Sequence, residues 1–255
     1  MNPTALQFGP GPWSSEQWTQ WFFENTDNWR SIPWLLGASL SGAERHAISR
    51  SIAAFQLGES SEGKHLLKAA KLYASRSGDL DYERAIRRFI AEEQGHARVL
   101  GRFMDLAGIP RIKHTWSDWV FRRLRRGAGL EQSICVLITA ELIATIYYAA
   151  LREATASGLL RKLCDQILDD EAFHIRFQTE RINLLRTGQS AWRISLAENL
   201  QRILMRGTCR VVWRGHASVL QAGGYEYASF QTACLARLDS ILRPRSLLAW
   251  SGAIS

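Results

Sequence analysis

Apolar residues recur along most of this chain at intervals of three and four, the period of a helix with one buried face. The first long run begins at a capping box, Ser41 and Glu44, and continues to about Arg76, with Ile52, Phe55, Glu59, Glu62 and Leu66 on one stripe. Ser77-Gly78-Asp79 reads as a turn. A second helix then starts near Asp81 and aligns Ile86, Phe89, Glu93, His96, Leu100 and Phe103, and Gly108-Ile109-Pro110 ends it. Residues 111–128 form the longest connection, with a helical patch around Trp116–Leu124. A third helix runs from about Leu130 to Thr155 and aligns Ile134, Leu137, Glu141, Thr145 and Tyr148. After the turn at residues 157–159, a fourth runs to about Leu185 with Leu163, Ile167, Glu171, His174, Phe177 and Gln178 on its stripe. A fifth, Ser190 to about Ala222, and a sixth, Glu226–Leu242, flank the break at Gly223-Gly224. No run alternates with the two-residue period of a strand.

These elements predict an all-α fold. Residues 41–187 make a four-helix bundle of two hairpins joined by a crossover, and residues 188–255 add two further helices packed on it. Residues 1–40 carry Trp13, Trp18, Trp21, Trp29 and Trp34 and one short helix, Ser14–Glu24, and read as an arm on the same single domain.

Composition narrows the class. Of 255 residues, 46% are hydrophobic and 22% charged, which suits a globular chain able to bury a large core. Cys135, Cys164, Cys209 and Cys234 are scattered, with no C-x-x-C pair, so neither a disulfide framework nor a zinc knuckle is expected. That cysteine usage, with an N-terminal stretch unlike a secretory signal, predicts a reducing, cytoplasmic setting. Ser133–Leu151 is nearly long enough to span a bilayer, but Glu141 at its centre favours the central helix of a soluble bundle. The net charge of +8 includes one dense basic run, Arg122–Arg126, which reads as a solvated helix end. No nucleic-acid or membrane partner is expected.

The chemistry lies in polar residues placed on apolar stripes. Glu93 and His96, and again Glu171 and His174, stand three apart, so each pair shares one helix face. Glu59 and Glu141 lie inward on the partner helices, 34 and 30 residues before the pairs. In two hairpins these spacings put all six heads at one level of the core. Four ionised carboxylates there would not be tolerated bare, because desolvation and mutual repulsion would drive protonation or unfolding. Two divalent cations would balance them, and carboxylate with imidazole suits iron or manganese. Glu62, which also begins an E-x-x-H with His65, is an alternative ligand on the first helix. His46, His114 and His216 lack such partners.

The order Glu…E-x-x-H…Glu…E-x-x-H resembles the ferritin-like di-iron carboxylate superfamily over roughly residues 45–185. The stretch FQLGESSEGKHLL resembles the first metal helix of rubrerythrins and favours Glu59 over Glu62, and DDEAFH at 169–174 resembles the superfamily's last metal helix. The chain departs from rubrerythrins in lacking a C-x-x-C pair and in carrying Ala144 one turn past Glu141, and from ferritins in its second E-x-x-H. The resemblance implies two iron ions, or alternatively manganese, with Glu141 and one partner glutamate as bridges. It implies Asp170, with Glu92 as its equivalent, hydrogen-bonded to the metal histidines, and Thr145 in the place of an active-site threonine. It further implies an oxidase or oxygenase that activates O2 to oxidise a small molecule, with electrons from an external donor or reductase, and leaves a homodimer open. Phe55, Phe89, Ile138 and Phe177 point toward a hydrophobic substrate. The alternative is peroxide or metal handling: a peroxidase, a manganese catalase or a ferroxidase.

Overall fold

The computed structural model describes residues 11–26, 32–113 and 129–242. Within them the chain is helical, with α1 Ser15–Asn25, α2 Gly42–Glu59, α3 Lys64–Ser77, α4 Leu80–Ala107, α5 Leu130–Glu153, α6 Gly158–Arg186, α7 Ala191–Ala222 and α8 Tyr227–Leu242, plus one 3-10 turn at Trp34–Leu36. The starts follow from capping: Ser14, Ser41, Asp79 and Ser157 each accept a backbone N–H of the first turn that would otherwise lack a partner. The basic run Arg122–Arg126, His114, Trp29 and the patch around Trp116–Leu124 lie outside the described residues.

The expectation of one helix from Ser41 to Arg76 is corrected. It is two, α2 and α3, broken at residues 60–63. Gly58, Ser60, Ser61 and Gly63 crowd this stretch with weak helix formers, and the Ser60 hydroxyl turns back onto Leu57 O at 2.7 Å. Gly63 takes a left-handed φ of +59°, and Ile90 lies so close that a Cβ there would sit 2.5 Å from its Cδ1.

Helix α4 packs on α1, α2, α3 and α6, while α5 packs on α6, α7, α8 and α3. This explains why α5 is apolar nearly all round. Among the described helices it alone is long and apolar enough to cross a membrane, and 78% of that stretch is buried inside the fold. Gly223 lets the α7 terminus approach α5, since a Cβ would overlap the Ala150 backbone.

The core has two apolar halves. One gathers Phe89, Ile138, Phe177 and Ile182 with Trp18, Trp21 and Phe22 of α1. The other gathers Ile52, Phe103, Tyr147, Tyr148, Leu163 and Ile167. Along α4 the first half ends at Ile90 and the second resumes by Leu100. Along α6 the second ends at Ile167 and the first resumes at Ile175. Between the halves lies a belt of buried polar side chains.

Candidate metal centre

The belt contains the expected residues. Glu59 is the last residue of α2, Glu93 and His96 lie in mid-α4, Glu141 in mid-α5, and Glu171 and His174 in mid-α6. All are buried except Glu93, whose side chain is 16% exposed. Two groups of donor atoms form, each within 4.8 Å: Glu59, Glu93, His96 and Glu171 in one, and Glu93, Glu141, Glu171 and His174 in the other. Glu93 and Glu171 are thus common to both groups, whereas Glu141, expected as a bridge, falls in one group and Glu59 in the other.

The alternative ligand Glu62 is excluded by the helix break. It lies at residues 60–63, is exposed, and pairs with Lys64. His65, its E-x-x-H partner, is exposed as well. Thr145 is buried beside the cluster on α5, but its hydroxyl donates to Leu142 O of its own helix at 2.9 Å. Phe89 packs edge-on against His174 at 4.8 Å between centroids, whereas Phe55 is taken up in a stack on Tyr147.

The histidines are held by carboxylates that reach across between helices. Asp170 of α6 lies 3.2 Å from Nε2 of His96 on α4, and Glu92 of α4 lies 2.8 Å from Nε2 of His174 on α6. The Nε2 atoms thus face these outer carboxylates, while Nδ1 faces the glutamates of the cluster: His174 Nδ1 to Glu93 at 2.9 Å, and His96 Nδ1 to Glu171 at 3.7 Å. That is the arrangement in which an N–H fixed on one side leaves the other ring nitrogen for a metal.

Charge in the belt is displaced from ordinary values. Burial, helped by the Glu93 charge, raises Glu59 to about 8 and Glu171 to about 7. Burial and the Glu171 charge hold Glu141 well above the usual carboxylate range. Burial opposes charge on His96, but the Asp170 hydrogen bond and the neighbouring Glu93, Asp170 and Glu59 charges outweigh it and raise the ring to about 9. His174 is raised in the same way, by Glu171, Glu92 and Glu93 against its burial.

The donor set fits two cations. Glu141 Oε1 and both oxygens of Glu171 are buried without a hydrogen-bond partner among the described residues. Buried polar atoms left this way cost about 1–3 kcal/mol each, more when charged, unless something ligates them. Oxygen-rich sites with one imidazole per end match iron or manganese.

Two further residues enter the site that the sequence pattern did not single out for it. Tyr148, one of the α5 stripe residues, donates to Glu59 Oε1 at 2.6 Å. Asn25, the last residue of α1, donates through Nδ2 to Glu92 and, at 2.8 Å, to Asp170. Tyr148 stands two turns after Glu141 on the same face, a spacing that would have shown it. Asn25 gives no signal of periodicity.

No protein-family model and no curated protein matches the chain. Solved structures do. A tyrosine-to-phenylalanine variant of an R2-like ligand-binding oxidase with an anaerobically reconstituted Mn/Fe cofactor aligns with a TM-score of 0.59 at 15% identity, covering 88% of this chain and 92% of that one. A glycine-to-leucine variant with an aerobically reconstituted Fe/Fe cofactor aligns with a TM-score of 0.60 at 16% identity over the same shares. A valine-to-leucine variant with an aerobically reconstituted Mn/Fe cofactor gives 0.60 and 16%. At this identity the likeness establishes architecture: the chain has the all-α, ferritin-like bundle fold of the R2-like ligand-binding oxidases.

Proposed function

We propose that this chain is a dimetal oxidase that holds two ions, iron or manganese, and uses O2 to oxidise a small organic molecule. The observation that carries the reading is the pair of buried donor groups sharing Glu93 and Glu171. Glu59 with His96 and Glu141 with His174 would complete the two ends. The fold's appearance in oxidases with Fe/Fe and Mn/Fe cofactors supports it. When bound, such ions supply the redox capacity and Lewis acidity that no protein side chain offers. The chain's own part is to set the geometry, keep the apolar halves dry on either side, and release the protons that metal loading displaces from Glu59, Glu141, Glu171 and the histidines.

Access favours the α2–α4 face. Glu93 is the partly exposed ligand, and a surface pocket of about 220 Å³ shares its walls with the turns that carry Glu59 and Glu93. Gln56, Ser60, Gln94, Ala97, Arg98 and Arg111 line it. The side chains of Arg98, Arg111, Gln56 and Gln94 at its rim suit a substrate with a polar or anionic end. External electrons are needed for repeated turnover, so a separate reductant or reductase is part of the reading.

The test is anaerobic loading with Fe(II) or Mn(II), metal analysis, and O2 uptake with a chemical reductant and a panel of small organic acids. The expected result is about two ions per chain, O2 consumption that depends on them, and an oxidised product. A chain that takes up no stoichiometric metal ends the proposal. Rapid loss of added peroxide with no organic product moves the assignment to a peroxidase or catalase.

A further inference from the structure

The N-terminal arm reaches the metal belt through one side chain. Asn25 is buried at the end of α1, and its amide nitrogen has two hydrogens. One goes to Glu92 Oε1 and the other to Asp170 Oδ1, the latter at 2.8 Å. The second oxygen of each acid holds a histidine: Glu92 Oε2 lies 2.8 Å from His174 Nε2, and Asp170 Oδ2 lies 3.2 Å from His96 Nε2. The result is one continuous arch, His96–Asp170–Asn25–Glu92–His174, with Asn25 as its only member from outside α4 and α6.

We propose that Asn25 is the positioning residue that sets both histidines of the site, an inference that rests on the dimetal reading above. The physical case is donor accounting. Two carboxylates brought to within hydrogen-bonding distance of one nitrogen repel each other unless donors stand between them, and the amide supplies both without adding charge. Each carboxylate, so oriented, accepts the Nε2 proton of a ring on the opposite helix and leaves Nδ1 toward the glutamates. The arm is then part of the site and not merely a cover over the bundle. The arch is also uneven. Asp170 has a further donor in Gln166, at 3.2 and 3.3 Å, whereas among the described residues Glu92 relies on Asn25 and His174. Loss of the amide therefore frees His174 more than His96.

The experiment uses the full chain with Asn25→Ala, Asn25→Asp, and Trp18→Phe as a control. Trp18 lies on the same helix and donates to Glu180 at 2.8 Å, so its variant loosens the arm without touching the arch. Co(II) titration reads affinity, and 15N–1H NMR of the imidazoles in the metal-free chain reads ring orientation and tautomer independently of metal. Asn25→Ala is expected to weaken Co(II) binding about 10–100-fold, the usual cost of losing an outer partner, and to shift His174 more than His96. Trp18→Phe is expected to retain the wild-type affinity and imidazole spectrum. Asn25→Asp, isosteric but without donors and with a third charge, is expected to do more; if it fails to fold, Asn25→Ala decides. Unchanged Co(II) affinity and imidazole resonances in Asn25→Ala, or equal losses in Trp18→Phe, overturn the inference while leaving the dimetal reading intact. Wild-type protein that binds no Co(II) overturns both.

Discussion

His216 and His174 are both buried imidazoles in the same bundle, and their surroundings differ in kind. His216 sits on α7 with Nδ1 2.7 Å from the Ser51 hydroxyl, which in turn donates to Tyr147 at 3.1 Å, and Phe55 lies flat on the Tyr147 ring. Its neighbours are hydroxyls and aromatic faces. Burial and the Arg50 charge press its ring down to about 4, so it is neutral and its hydrogen bonds close on themselves. His174 has Glu92, Glu93 and Glu171 around it, is pushed upward, and faces Glu171, whose oxygens have no hydrogen-bond partner among the described residues. The lesson is that burial of a histidine says little by itself. A site for an ion is marked by surplus acceptors: four carboxylates against two rings cannot be satisfied by hydrogen bonds within the cluster.

This contrast can be broken by experiment, and the largest effect belongs to the shared glutamates. Glu93→Ala and Glu171→Ala are each expected to lower bound metal from about two ions per chain toward none, by elemental analysis, because each removes a donor from both ends. Glu171→Gln is expected to lose metal as well while raising the metal-free melting temperature. It removes a buried charge, and each kcal/mol recovered is worth about 2–4 °C in a chain of this size. An unchanged or lower melting temperature would mean that repulsion among the carboxylates is not what strains the metal-free belt.

Next in size is the pH dependence of the metal-free chain. Glu59 and Glu171 bind protons more tightly folded than at the ordinary value of 4.5, so their contribution to stability is full below that pH. It is lost as pH rises through about 7 and 8. His96, raised from 6.5 to about 9, adds a loss of the same sign between those values. His216, lowered to about 4, has the opposite sign, and its contribution is lost as pH falls from 6.5 through 4. Thermal melts in chelator are therefore expected to weaken toward pH 9, and Mn(II) is expected to restore the alkaline side alone. A curve flat above neutral pH would contradict the assignment of the belt's protons.

Smaller effects separate the two clusters. Tyr148→Phe removes the donor to Glu59 and is expected to cost about 1–3 kcal/mol, with metal weakened more at the Glu59–His96 end. Ser51→Ala is expected to cost a similar amount in denaturant unfolding with metal affinity unchanged, because its partners belong to the closed cluster. Smallest of all, Glu62→Gln is expected to alter stability by no more than about 0.5 kcal/mol and metal content not at all.

Much of this site was legible because a helix turns periodicity into position. A glutamate and a histidine three apart on a stripe of Ile86, Phe89 and Leu100 must share that stripe's buried face, and a second copy on α6 makes coincidence a poor account. The helix limits were legible for the same reason, since caps and glycines act locally. Where local signals competed, the stripe misled. Glu62 continues the period of α2, but Ser60, Ser61 and Gly63 stop the helix at Glu59 and turn Glu62 into solvent.

The sequence alone thus determined the all-α architecture, the buried faces, and which carboxylates and imidazoles face the core, because these follow from side-chain periodicity and capping within one helix. The tertiary structure alone decided which glutamates are shared between the two ends. It also decided that Asp170 and Glu92 each cross to the other helix's histidine, and that Asn25, some 67 residues before Glu92, joins them. Those facts depend on the distances between rods and on how each is rotated about its axis. Packing sets both, and no period within a single helix records them.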